Sequence, residues 1–310
     1  MRIGIDIMGG DNAPKSTTEG AILAQKELPN LELVLIGDEN QIIPILEENG
    51  ADKNDFSIIH TEEVIGMGEH PIKAFKSKPK SSIGLGFHLL ESGKIQGLSS
   101  AGNTGAMMIG AMYSVRPIPG IIRPCITSVI PKEEGVNLIL DVGVNADCKP
   151  DVLYQFGIVG SIYAKNVLGI ESPRISLLNI GEEPEKGNLL TQATYNLMKD
   201  SKDFNFVGNV EGRDLFSDEI DVLVCDGFTG NIVLKEGEAF YSLMKKRGLL
   251  DDHFSRFNYE IYGGSPILGI NSNVVVGHGI SNDIAIKNMI KLTADVVEAD
   301  LAGKIKDAFK

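Results

Sequence analysis

Short apolar runs alternate with helix-like patterns along the whole chain, and this alternation limits the possible folds more than any other feature. β-Branched and apolar runs predict strands at 2–7, 31–37, 56–60, 95–99, 125–130, 136–142, 174–179, 204–207, 221–225 and 273–277. Helical spacing predicts helices at 15–28, 81–93, 104–115, 151–168, 189–199, 231–247 and 282–301. Strands separated by helices form βαβ units, so the expectation is an α/β fold: a three-layer, mostly parallel sheet with helices on both faces. Near-continuous apolar strands such as 136–140 suit burial on both sides. No Pro-, Gly- or Ser-rich linker and no repeat period breaks the chain. It therefore reads as a single large α/β domain over 1–310, with room for two lobes and a short helical excursion near 235–262.

Charge and cysteine usage exclude several classes. With 29 Lys and Arg against 42 Asp and Glu, the net charge of −13 argues against a nucleic-acid partner. Asp6 interrupts any signal-peptide core. The charge-free stretch 95–115 carries Gln96, Ser99, Ser100, Asn103 and Thr104, which disqualifies it as a membrane span. A cytoplasmic protein is expected. Cys125, Cys148 and Cys225 are odd in number and widely spaced, so neither a disulfide framework nor a metal site is expected.

In open α/β sheets ligands bind beyond the carboxyl ends of the strands. Six predicted strand ends repeat one theme of glycine, a small polar side chain and often an acid. They are Asp6-Ile7-Met8-Gly9-Gly10-Asp11-Asn12, Ser100-Ala101-Gly102-Asn103-Thr104-Gly105, Asp141-Val142-Gly143-Val144-Asn145, Asn179-Ile180-Gly181, Asp226-Gly227-Phe228-Thr229-Gly230-Asn231 and Gly277-His278-Gly279. Glycine lets backbone amides approach a ligand, and a following helix N-terminus adds positive potential, so such loops suit a small anion. The candidate phosphate or substrate contacts are Gly9, Gly10, Asp11, Asn12, Ser100, Gly102, Asn103, Thr104, Asp141, Asn145, Asn179, Asp226, Thr229 and His278. Any single loop is equally well explained by ordinary helix caps and turns; six together favour a ligand.

The sharper motifs are missing. The sequence has no Walker loop, no G-x-G-x-x-G after a strand, no G-x-S-x-G elbow and no H-E-x-x-H. No cofactor is therefore expected. Lys186 stands beside Glu182, Glu183 and Glu185 just ahead of a helix, either as a solvated lysine or as a flexible cation for a phosphate or an oxyanion. Against the overall sign, Lys73, Lys76, Lys78 and Lys80 fall in an acid-free stretch, either as a solvated face or as a docking site for an acidic partner.

With these loops in view, the chain closely resembles the PlsX family of phosphate acyltransferases. The carriers are Asp6–Lys15, Ser100–Ala106, Asp141–Asn145, Asn209-Val210-Glu211-Gly212-Arg213-Asp214, Asp226–Asn231 and Tyr262-Gly263-Gly264, in family order over essentially the whole chain. The resemblance implies a fold similar to the isocitrate and isopropylmalate dehydrogenase-like proteins and to phosphotransacetylases, and it implies homodimers. The implied reaction moves a fatty acyl group from acyl carrier protein to inorganic phosphate. The resulting acyl phosphate would feed phospholipid synthesis through a glycerol-3-phosphate acyltransferase at the membrane. By the same resemblance, Lys186 and the Asn231 amide donate to the oxyanion, and the lysine cluster becomes the carrier-protein dock. The family also implies peripheral attachment at the inner membrane face, yet the stretch before Tyr262 is shorter here than the family's usual helical pair. The competing readings are a phosphotransacetylase-like enzyme using acyl-CoA, a decarboxylating dehydrogenase and a non-catalytic scaffold.

Overall fold

The computed structural model describes residues 1–310, which divide into two compact units. The first comprises residues 1–117 and 259–302, and the second 118–258 and 303–310.

In the first unit, strands β1 (Arg2–Asp6), β2 (Glu32–Gly37), β3 (Ser57–His60), β4 (Gly97–Ser100), β10 (Gly264–Leu268) and β11 (Asn273–Gly277) pair in the order β3-β2-β1-β4-β11-β10. All pairings are parallel except β10 with β11. The helices are α1 (Lys15–Glu27), α2 (Glu39–Glu48), α3 (Pro71–Ser77), α4 (Ser82–Glu91), α5 (Thr104–Gly110), α10 (Tyr259–Tyr262) and α11 (Asp283–Glu298). Successive residues of β4 show that both faces are covered. Gly97 backs onto Thr293 and Val297 of α11, whereas the Leu98 side chain lies against Gly86 of α4. Ile3, Ile5, Leu33, Leu35 and Ile36 are fully buried; each such side chain contributes roughly 1.5–3 kcal/mol.

The second unit pairs β5 (Cys125–Pro131), β6 (Val136–Leu140), β9 (Val222–Val224), β7 (Arg174–Leu178) and β8 (Asn205–Val210) in that order. Only β5 with β6 is antiparallel. Its helices are α6 (Pro150–Asn166), α7 (Leu189–Met198), α8 (Gly227–Arg247) and α9 (Asp252–Ser255), and α12 (Leu301–Ala308) ends in its last residues. Val222 and Leu140 lie against Gly160 of α6, while Leu223 joins a cluster with Ile139, Val210 and, from α8, Val233 and Leu234. Each unit is thus a mostly parallel sheet covered on both faces, as the alternation required. No helix is long and apolar enough to cross a membrane.

Candidate functional site

The glycine-rich strand ends fall into two sets of three, one in each unit, and each set is delivered by adjacent parallel strands. In the first unit the neighbours β1, β4 and β11 carry the loops after Asp6, Ser100 and Gly277. In the second, β6, β9 and β7 carry the loops after Leu140, Val224 and Leu178. Parallel neighbours present their carboxyl ends at one edge, so within each unit the three loops share that edge.

Asp6 organises the first set. It is buried, and that burial raises its pKa against the hydrogen bonds that favour its charge. Ser100 Oγ donates to it at 2.7 Å, the Met8 amide donates at 3.1 Å, and the Gly102 amide donates to Ser100 Oγ at 2.9 Å. A Cβ on Gly9 would lie 2.4 Å from the Asp6 carboxylate and 2.7 Å from the Gly102 amide, so only glycine fits. Asn103 is also fully engaged. Its Oδ1 caps α5 through the Ala106 amide, and its Nδ2 donates to the carbonyls of Gly66, Met67 and Glu69 at 3.0–3.1 Å. The hydroxyl of Ser100 and the amide of Asn103 therefore hold the loop's shape, while Thr104 is exposed at the first position of α5. The Asp11 amide donates to Gly279 O, and Asn12 Nδ2 donates to the carbonyls of Ile280 and Ser281. Residues 9–12, 100–104 and 277–281 are thereby knitted into one loop cluster. The His278 ring lies 4.8 Å from that of Tyr259.

Asp141 plays the corresponding part in the second unit. It is buried with its pKa raised by that burial, and it accepts from the amides of Ile126 and Asn145 and from Asn145 Nδ2. The amides of Gly143 and Gly227 bond the carbonyls of Gly227 and Asn145, which locks this loop to the start of α8. Sequence periodicity begins that helix at 231, but it starts at Gly227. Asp226 is its N-cap, accepting from both the amide and the hydroxyl of Thr229. Asn231 is thus in the second turn, half-buried, and its side chain makes no hydrogen bond.

The loop 179–188 after β7 carries Lys186. Gly187 has φ +90°, and a Cβ there would sit 2.2 Å from Asn179 Oδ1 and 2.0 Å from Thr191 Oγ1. Asn179 Nδ2 donates to Lys186 O at 3.2 Å. Lys186 itself is exposed, and its ammonium is in no ion pair.

The lysine cluster divides. Lys73, Lys76 and Lys80 are exposed on or just after α3, whereas Lys78 is committed to Val64 O at 2.8 Å and Glu69 at 2.6 Å. Two groups missed by the sequence have metal-ligating atoms within 4.8 Å of one another: Asp38, His60 and Glu62, and Glu182, Glu211 and Asp214. In the first, Asp38 already accepts from Asn40 and Gln41, and His60 Nδ1 accepts from the Glu39 amide. In the second, Arg213 is already paired with Glu182 and Glu211. Local sequence marks neither group, because each draws its members from two separate strand ends. All three thiols are poor nucleophiles. Burial pushes Cys125 and Cys225 well above the ordinary range and Cys148 up to about 12.

Comparison with known proteins gives a consistent result. A family model described as a fatty acid synthesis protein matches residues 1–304. The phosphate acyltransferase of Halothermothrix orenii is 43% identical over 326 residues, covering 99% of this chain and 98% of its own. That of Dictyoglomus thermophilum is 45% identical, covering 98% and 96%. Among solved structures, a phosphotransacetylase from Streptococcus pyogenes superposes with a TM-score of 0.68 at 18% identity, covering 96% of this chain and 94% of its own. At that identity the likeness is one of fold.

Proposed function

Because the chain belongs to the PlsX family of phosphate acyltransferases, we propose that it transfers a long-chain acyl group from acyl carrier protein to inorganic phosphate. The acyl phosphate formed serves phospholipid synthesis and is consumed by a glycerol-3-phosphate acyltransferase at the membrane. In the reaction a phosphate oxygen bonds to the thioester carbonyl carbon, the C–S bond breaks, and the sulfur leaves with its electron pair and takes up a proton. Phosphate is already an anion, so the protein's task is positioning and charge stabilisation, with no protein nucleophile.

One observation carries the assignment of roles: Lys186, in the loop after β7, and Asn231, in the second turn of α8, have side-chain donors that bond nothing in the protein. They are the donors for the tetrahedral oxyanion. The first unit's loop cluster of Gly9, Gly10, Asp11, Asn12, Gly102 and Thr104, which Ser100 and Asn103 brace from behind, is suited to a small anion. Asp141, Asn145, Asp226 and Thr229 set the frame in which Asn231 stands. The dock for the acidic carrier protein is Lys73, Lys76 and Lys80. A second copy of the chain is the partner for α8, whose Ile232, Phe240 and Leu243 are exposed.

The test is incubation with palmitoyl-acyl carrier protein and labelled phosphate, with palmitoyl-CoA as the competing donor. Acyl phosphate should form faster from the carrier protein, and Lys186→Ala and Asn231→Ala should each lower kcat by about 10²–10³. Preference for the CoA ester would reassign the donor; folded variants with wild-type turnover would remove both residues from the mechanism.

A further inference from the structure

Two acid-free segments meet on the surface of the first unit. In a chain with 42 Asp and Glu among 310 residues, neither 70–90 nor 92–132 contains one. The first segment carries α3, and the second carries α5 with the π turn Ala111–Val115 that continues it. α3 packs against α5. At one end Pro71 closes on Gly105, its Cβ 2.8 Å from the point a Cβ at Gly105 would occupy. At the other, the Phe87 ring takes the place a side chain at Gly110 would fill, and its centroid lies 6.0 Å from that of Phe75. The exposed Lys73 and Lys76 of α3, with Lys80 just after it, therefore stand on the element beside the π turn. Glu69, the last acid before α3, is spent on Lys78 at 2.6 Å.

The π turn shows two large apolar side chains to solvent, Met112 at 38% and Tyr113 at 62% exposure, and Ile72 of α3 adds a third at 40%. The turn ends on Arg116, which is exposed and whose guanidinium bonds nothing in the protein. Arg116 has φ +68° and ψ 151°, a region almost confined to glycine. Its surroundings hold it there. The Arg116 amide donates to Ala111 O at 2.9 Å, and its carbonyl accepts from the Asn271 amide at 3.0 Å and from Asn271 Nδ2 at 2.9 Å. The same Nδ2 donates to Pro117 O at 3.0 Å. Glycine would adopt this backbone without strain, so the arginine side chain stands there at a cost in stability.

We propose that the π turn and α3 together form the docking face for the acidic carrier protein. Lys73, Lys76, Lys80 and Arg116 meet its carboxylates, and Tyr113 with Met112 and Ile72 is the apolar anchor that holds it. This rests on the reading of the carrier protein as acyl donor. Charge complementarity selects an acidic protein, because the four basic side chains are in no ion pair. A second copy docking here by two-fold symmetry would set these same positive charges against one another. The charges steer the encounter and are screened by salt, whereas the apolar anchor slows release and is not.

The experiment measures kcat and KM of the whole protein with palmitoyl-acyl carrier protein and labelled phosphate at low and high salt. Tyr113→Ser should raise KM for the carrier thioester about tenfold, the scale of a truncated interface aromatic, at both salt concentrations. kcat and the KM for phosphate should stay at wild type. Arg116→Gly should raise the same KM about fivefold at low salt only, with a thermal midpoint no lower than wild type. Wild-type protein that forms acyl phosphate from palmitoyl-CoA alone would overturn the carrier reading itself. Turnover from the carrier thioester with a KM that ignores both substitutions, or a loss confined to kcat, would overturn this inference alone. So would a changed molecular mass in Tyr113→Ser, which gives the face to a second copy, or loss of binding to phosphatidylglycerol vesicles with KM unmoved, which gives it to a lipid surface.

Discussion

Asp221 is the most heavily bonded carboxylate in the second unit. It accepts from the backbone amide and both guanidinium arms of Arg174 at 2.9–3.0 Å and from Lys132 at 3.3 Å. Burial alone would raise its pKa, but the bonds from Arg174 and Lys132 outweigh burial and hold it below the usual carboxylate range. A depressed carboxylate contributes stability above its unfolded pKa of about 3.9, and that contribution fades as pH falls through the lower folded value. Lys132 and Asp221 keep only 7% and 6% side-chain exposure, so removing one partner strands a buried charge. Asp221→Asn should cost about 3–5 kcal/mol at neutral pH, and the deficit relative to wild type should shrink in acid. Denaturant melts at about pH 7 and about pH 3 test the sign, since a deficit that grew in acid would contradict the assignment. This triad was illegible in the sequence. Its members stand 89 and 47 residues apart, and nothing local marks any of them. The strand-end candidates were legible because glycine and small polar residues declare themselves over a few adjacent positions.

At the scale of elements, the sequence misled where proline was concerned. Pro44 lies inside α2 and Pro266 inside β10, and neither element was expected. Pro266 is tolerated because β10 pairs with β11 through few residues, and proline lacks only the donor. The helix predicted at 104–115 is α-helical only to Gly110 and then opens into a five-residue π turn over Ala111–Val115. Its start carries a larger share of the architecture than an ordinary cap, because Asn103 both caps α5 and clasps the 66–69 segment. Asn103→Ala gives up the cap and releases the clasp on three part-buried carbonyls, at a cost of about 1–2 kcal/mol. Asn103→Asp keeps the cap acceptor but sets a carboxylate oxygen against three carbonyls, so it should be no more stable than the alanine variant. Thermal denaturation of the pair decides this; a wild-type midpoint for either means that the clasp is idle.

At the scale of the molecule, the division into two units was the least legible feature, for a topological reason. The chain leaves the first unit after Pro117, re-enters it at Tyr259 and leaves it again after Ala302, so neither unit is one continuous segment. The first crossing, at Arg116-Pro117-Ile118-Pro119-Gly120, looks like any other turn, and the second, at Asn258-Tyr259, carries no turn signal. Charge, by contrast, is a whole-chain property that the sequence reports directly, and it sets the terms of the proposed encounter. A protein of net charge −13 repels an acidic partner at long range unless a local positive field guides the approach. Within the lysine cluster, Lys73, Lys76 and Lys80 are left to supply that field, because Lys78 is spent on Glu69 and Val64. Reversing the three exposed lysines to Glu should raise KM for the carrier protein at low salt. The expected increase is about fivefold per charge, from roughly 1 kcal/mol of close Coulomb attraction in water. kcat should be spared, and the effect should vanish as salt shortens the screening length below about 10 Å. Lys78→Glu should act differently: it breaks an internal bond and destabilises the 64–69 segment without the same salt dependence. Steady-state kinetics across an ionic-strength series separate the two, and a KM that ignored the triple reversal at low salt would place carrier docking on another surface.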